Sequence, residues 1–138
     1  MPVEDPETVR SILDAERVVV IGASTTAGKA AHDVPAYLQK QGYTVVPVNP
    51  FADEVLGESA YDSLSAVPGP IEIVDVFRPS DEVSDIVDVA IDRGDVEVIW
   101  LQLGIHDDAA VARAEEAGIT VVQDRCMKVA HRRLIANA

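Results

Sequence analysis

Five short runs of nearly continuous apolar, mostly β-branched residues punctuate the chain: 17–22 (RVVVIG), 43–48 (YTVVPV), 71–77 (IEIVDVF), 97–101 (EVIWL) and 119–123 (ITVVQ). Consecutive rather than alternating apolar positions suit strands covered on both faces, as in a parallel sheet. Between the runs the period changes. After Ser80, Asp81 and Glu82, the residues Val83, Ile86, Val87, Ala90 and Ile91 form one stripe at i, i+3, i+4, i+7 and i+8. This predicts an amphipathic helix capped by Ser80 and closed by Arg93 and Gly94. The same logic predicts helices over 31–41, ending at Gly42, and 107–117, ending at Gly118, with a leading helix near 6–15 and a tail helix after Met127.

Strands alternating with helices at this spacing read as right-handed βαβ units and place the chain in the α/β class, with an open, doubly wound sheet. Pro47 cannot donate to a sheet ladder, but it stands near the C-terminal end of its strand, where the chain is about to leave the sheet. The 138 residues, 48% apolar with mean hydropathy +0.12, fit one domain spanning 1–138.

Charge narrows the range of partners. Twenty-four acidic and 11 basic residues give a formal net charge of −13, which repels a phosphate backbone, so no nucleic-acid partner is expected. Only Lys29, Lys40 and Lys128 are lysines, and the acids are dispersed, the habit of proteins from a high-salt cytoplasm, where screening shortens the Debye length to about 3 Å at molar salt. Cys126 is alone, the first ten residues lack a signal-peptide pattern, and no apolar stretch approaches the about 18–20 residues of a membrane span. A cytoplasmic protein without a membrane partner is expected.

Ligands of open α/β sheets bind beyond the C-terminal ends of the strands. After the first run comes GASTTAGK, residues 22–29, a small-residue loop entering a helix, suited to a phosphate or diphosphate. It is not a Walker A loop: five residues separate Gly22 from Gly28, and Ala30 has no hydroxyl for magnesium. Nor is it a dinucleotide fingerprint, since Ser24 and Ala27 stand where glycines belong and Asn49-Pro50 replaces the acid that reads ribose hydroxyls.

The ordered segments VVVIGAS, PVNPF followed by Leu56-Gly57, IVDVFRPS, IWLQLGI and EEAGITVVQDRCMKVAHRRL resemble the small stand-alone CoA-binding proteins, which are similar to the N-terminal domain of the succinyl-CoA synthetase α subunit. The match runs from about Val18 to Leu134. The resemblance implies a Rossmann-like domain holding coenzyme A as its ligand, with the diphosphate on the 22–29 loop. By position, Gly22, Ser24 and Thr25 would meet the phosphates, Lys29 would neutralise them, and Asn49 and Pro50 would shape the wall after the second strand. Phe77, Arg78 and Pro79 would line the adenine side, and Gln102 and Gly104 the floor. Two departures stand out: Phe51, able to stack on a base, occupies a position often basic in the family, and Ala31 replaces a common serine.

The synthetases sharing this domain use a phosphohistidine on a further domain, so His32, His106 and His131 are read as surface or structural residues. No metal is expected, with one thiol and no histidine pair at ligand spacing. Cys126, flanked by Arg125 and Lys128, is read first as structural and second as a thiol able to form a mixed disulfide with pantetheine. Trp100 is read as core, and no carboxylate pair suits acid/base chemistry. The expected function is binding of CoA or an acyl-CoA without autonomous catalysis. The alternatives are a non-catalytic subunit of an acyl-CoA synthetase-like complex, or a nucleotide- or NAD-sensing Rossmann module. A homodimer or a protein partner is compatible with either.

Overall fold

The structure is a computed structural model describing residues 1–136. Five parallel strands, β1 (Arg17–Ile21), β2 (Thr44–Val48), β5 (Ile71–Val76), β6 (Val96–Leu101) and β7 (Thr120–Val122), form one sheet in the order β2-β1-β5-β6-β7. All five predicted strands are present, within one or two residues at their ends. A two-stranded antiparallel hairpin, β3 (Glu54–Val55) with β4 (Glu58–Ser59), was not foreseen.

Each face of the sheet carries its own core. On one face, α1 (Pro6–Leu13), α2 (Ala30–Lys40) and α5 (Met127–His131) cover Val18, Val20, Ile73, Val98 and Trp100. On the other, α3 (Val83–Arg93) and α4 (Asp108–Glu116) cover Val19, Val74, Val76, Ile99 and Val121. Both faces are buried, which is why the strand runs are apolar at successive positions. The chain leaves β1 for α2 on one face and β5 for α3 on the other, so the topological switch point lies between these adjacent strands.

Pro47 is tolerated because β2 is the edge of the five-stranded sheet. Its carbonyl points outward and accepts from Tyr61 N–H (3.0 Å), so the donor it lacks would face the same way, not toward β1. Gly94 closes α3 in the left-handed region (φ 73°), as its position predicted. Ser80 does not cap α3. A 3₁₀ turn over Ser80–Glu82 intervenes, and the Ser80 hydroxyl instead accepts from His106 N–H (3.1 Å) in the loop after β6. The leading helix ends at Leu13, capped at its start by Asp5, whose carboxylate accepts from Thr8 N–H at 2.9 Å.

Candidate functional site

At the switch point lies a cleft of about 660 Å³, a volume ordinary for small-ligand sites. The loop after β1 forms one wall, the segment after β2 another, and the first turns of α3 a third. Of the predicted residues, Gly22, Ser24, Lys29, Asn49, Pro50, Phe77 and Arg78 line it together, with Phe51 96% exposed at its rim. Thr25 and Pro79 are exposed and stand outside the lining.

The loop over 22–29 is already extensively hydrogen-bonded. Gly22 N–H donates to Val48 O (3.0 Å), Ser24 N–H to Ala31 O (3.0 Å), Thr26 N–H to Ser24 Oγ (3.0 Å) and Gly28 N–H to Asp33 Oδ1 (3.1 Å). Gly22 and Ser24 N–H, expected as phosphate donors, therefore have protein partners. Among the described residues, Ala23, Thr25 and Ala27 N–H have none, and of these three Ala23 lines the cleft. Asp33 is held below the usual carboxylate range by its hydrogen bond to His32 and then by Gly28 N–H.

Asn49 straps two walls: its Nδ2 donates to Ala23 O (2.9 Å) and its Oδ1 accepts from Phe51 N–H (2.8 Å). Gly22 adopts φ 87° and lies under the Arg78 side chain, whose Cδ would sit 2.9 Å from any added Cβ. Arg78 in turn meets Glu82 through two bonds, Nε to Oε1 at 3.1 Å and Nη2 to Oε2 at 2.7 Å. This pairing raises the Arg78 pKa and lowers that of Glu82. Lys29 is exposed and forms no ion pair among the described residues.

The structure places Gln102 and Gly104 elsewhere. Gln102 is buried, and its Oε1 accepts from Met127 N–H (3.0 Å); Gly104 N–H donates to Asp124 Oδ1 (2.6 Å). Both tie the loop after β6 to that after β7, outside the cleft. Cys126, half-buried at the start of α5, is outside it too. Trp100 is fully buried, its indole N–H donating to Arg125 O at 2.8 Å. His131 is a buried structural residue: Nδ1 meets the Tyr37 hydroxyl at 2.8 Å, and burial lowers its pKa. Among the described residues no group of three metal-ligating side chains is present, and no helix is long and apolar enough to cross a membrane.

The sequence profile of the CoA binding domain matches residues 16–132, spanning the whole sheet and the cleft. The chain belongs to the CoA-binding domain family. Within that family it is similar to the Bacillus subtilis protein YneT, 38% identical over 124 residues, 89% of this chain and 91% of YneT. A solved Thermus thermophilus structure superimposes with TM-score 0.89 at 40% identity, covering 96% of this chain and 100% of that one. An ADP-forming acetate–CoA ligase of Archaeoglobus fulgidus is 26% identical over 102 residues, 72% of this chain but only 15% of the ligase. The CoA-binding domain described here thus corresponds to a small part of that enzyme.

Sequence reasoning missed one wall of the cleft. Asp62, Ser63 and Leu64 enter it from the segment between β4 and β5, and Glu82, Asp85, Ile86 and Val89 enter it from α3 and the turn before it. The α3 stripe was visible, but the side it turns toward the switch point depends on the packed fold.

Proposed function

We propose that this domain binds coenzyme A or an acyl-CoA in the switch-point cleft and has no autonomous catalysis. The observation that carries the reading is the convergence, in one cleft, of the loop over 22–29, Asn49, and Phe77 with Arg78, drawn from the ends of three different strands. The unpartnered amide of Ala23 and the Lys29 side chain, both in the lining, would take the diphosphate. The adenosine would lie against Phe51, Leu64 and Ile86, apolar residues of the lining, and not on the Phe77–Pro79 side that the resemblance implied. The ionisable side chains of the lining are Lys29, Arg78 tied to Glu82, and the carboxylates of Asp62, Glu82 and Asp85.

Titration calorimetry with CoA, acetyl-CoA and NAD tests this reading, with Lys29→Ala as the variant. Saturable CoA binding weakened about tenfold by Lys29→Ala is expected, the loss of one charge-assisted phosphate contact. No CoA binding, or tighter binding of NAD, refutes it and favours the nucleotide-sensing alternative.

Relatives in which this domain is a small part of an ADP-forming ligase support a second reading, as the CoA-holding subunit of a larger complex. Recovery of the tagged chain with a stoichiometric partner from its own cells would support that reading. Recovery alone would leave the first.

A further inference from the structure

The charges in the cleft are unevenly distributed. Its cations are Lys29, at the β1 loop, and Arg78, whose guanidinium is occupied by Glu82. Its remaining charges are acidic: Glu82, Asp85 and Asp62. The wall after β2 therefore offers no cation to a second phosphate, and Phe51 and Pro50 there are uncharged.

Asp62 occupies a telling position. Tyr61 extends the sheet by one step beyond β2, in a parallel bridge to Val48, with Asn49 N–H donating to Tyr61 O at 2.9 Å. Asp62, the next residue, thus stands one strand beyond Asn49 and two beyond Gly22 along the sheet. At about 4.8 Å per strand, that is roughly 10 Å from the anion loop. In dinucleotide-binding sheets an acid at the end of the second strand reads the ribose hydroxyls. Here Asn49 holds that place and spends its side chain on Ala23 O and Phe51 N–H. Asp62 brings an acid to the same end of the crevice from a different segment of chain. It is exposed, lines the cleft and has no ion pair among the described residues.

We infer that Asp62 reads an unphosphorylated ribose, so that the 3′-phosphate of CoA weakens binding here and the 3′-dephospho form is the tighter ligand at low ionic strength. The inference rests on the proposal that this cleft holds the adenosine diphosphate part of CoA. A ribose hydroxyl donates to the carboxylate, whereas a 3′-phosphate at the same place sets two anions side by side with no cation between them.

Calorimetry with CoA and dephospho-CoA, on the wild-type chain and Asp62→Asn, at about 50 mM and about 1 M potassium chloride, tests it. At low salt dephospho-CoA is expected to bind about tenfold tighter than CoA, the scale of repulsion between near anions in a partly solvated site. The preference should shrink at high salt and fall to about twofold or less in Asp62→Asn, which keeps the shape and removes the charge. CoA binding as tightly as dephospho-CoA, or tighter, in the wild-type chain overturns the inference and leaves the CoA-binding proposal standing. The same holds if Asp62→Asn keeps the full preference. Failure of both ligands to bind overturns inference and proposal together.

Discussion

Ser24 N–H donates at 3.0 Å to the carbonyl of Ala31, the acceptor in α2 that Pro35 leaves without its helical donor. A proline inside a helix removes the bond from position i to i−4, which for Pro35 is Ala31. The freed carbonyl is thus turned to use as an anchor for the loop over 22–29, and the proline becomes part of the architecture of the cleft wall.

Pro35→Ala restores a competing helical donor to Ala31. The Ser24 amide should then lose hydrogen-exchange protection by about three- to tenfold, the worth of one ordinary hydrogen bond. Global stability should stay level or rise, since alanine is the better helix former. Unchanged protection at Ser24 would mean that Ala31 accepts both donors without weakening either.

Gly22 and Arg78 are coupled by contact. A methyl at position 22 meets Arg78 Cδ at 2.9 Å and is also strained by φ 87°. Gly22→Ala should lower stability by about 1–3 kcal/mol in urea denaturation and displace Arg78 from Glu82. Ligand affinity should fall as well. Arg78→Ala in the Gly22→Ala background should recover part of the stability, because it removes the atom in the way; additive losses would show that backbone strain alone is responsible.

The parts of this fold that were legible in the sequence are those with a period. Strands buried on both faces announce themselves as unbroken apolar runs, and α3 does so as a stripe. The β3–β4 hairpin has two residues per strand and carries no period, so neither it nor the Tyr61 bridge that brings Asp62 to the cleft was readable. Ser80 has the chemistry of a cap, but Pro79 and the 3₁₀ turn set it three residues ahead of α3. Gln102 and Gly104 were assigned by position from the family resemblance, in keeping with the rule that sites lie beyond strand ends. That rule locates a site only at the switch point, and β6 lies one strand past it.

Gln102→Ala is expected to be a stability variant. It would leave the buried Met127 N–H without its acceptor, a loss of about 1–3 kcal/mol in chemical denaturation. CoA affinity should stay within about twofold, because the side chain lies outside the cleft. A large affinity loss in a variant of near-normal stability would return Gln102 to the binding site.

Asp75 sits in β5 between Val20 and Trp100, fully buried, with neither carboxylate oxygen hydrogen-bonded. Burial alone pushes its carboxyl well above the ordinary value of 3.8, so the folded chain holds this proton over a pH range where the unfolded chain has released it. Its contribution to stability is therefore fully present below pH 3.8 and is lost as pH rises through the raised value. His131 acts in the opposite sense: lowered from 6.5 by burial, it makes the folded chain less stable as pH falls below that value. The two slopes overlap, so a single stability curve would mix them, whereas the difference between wild type and Asp75→Asn isolates the carboxyl. Asparagine keeps the shape and cannot ionise. The difference should be constant below pH 3.8 and then move in favour of Asp75→Asn by up to about 1.4 kcal/mol per pH unit until the folded carboxyl ionises. A difference that stays flat from acid to neutral pH would show that Asp75 ionises in the folded chain as readily as in the unfolded one, with a partner or a water reaching it between β1 and β6.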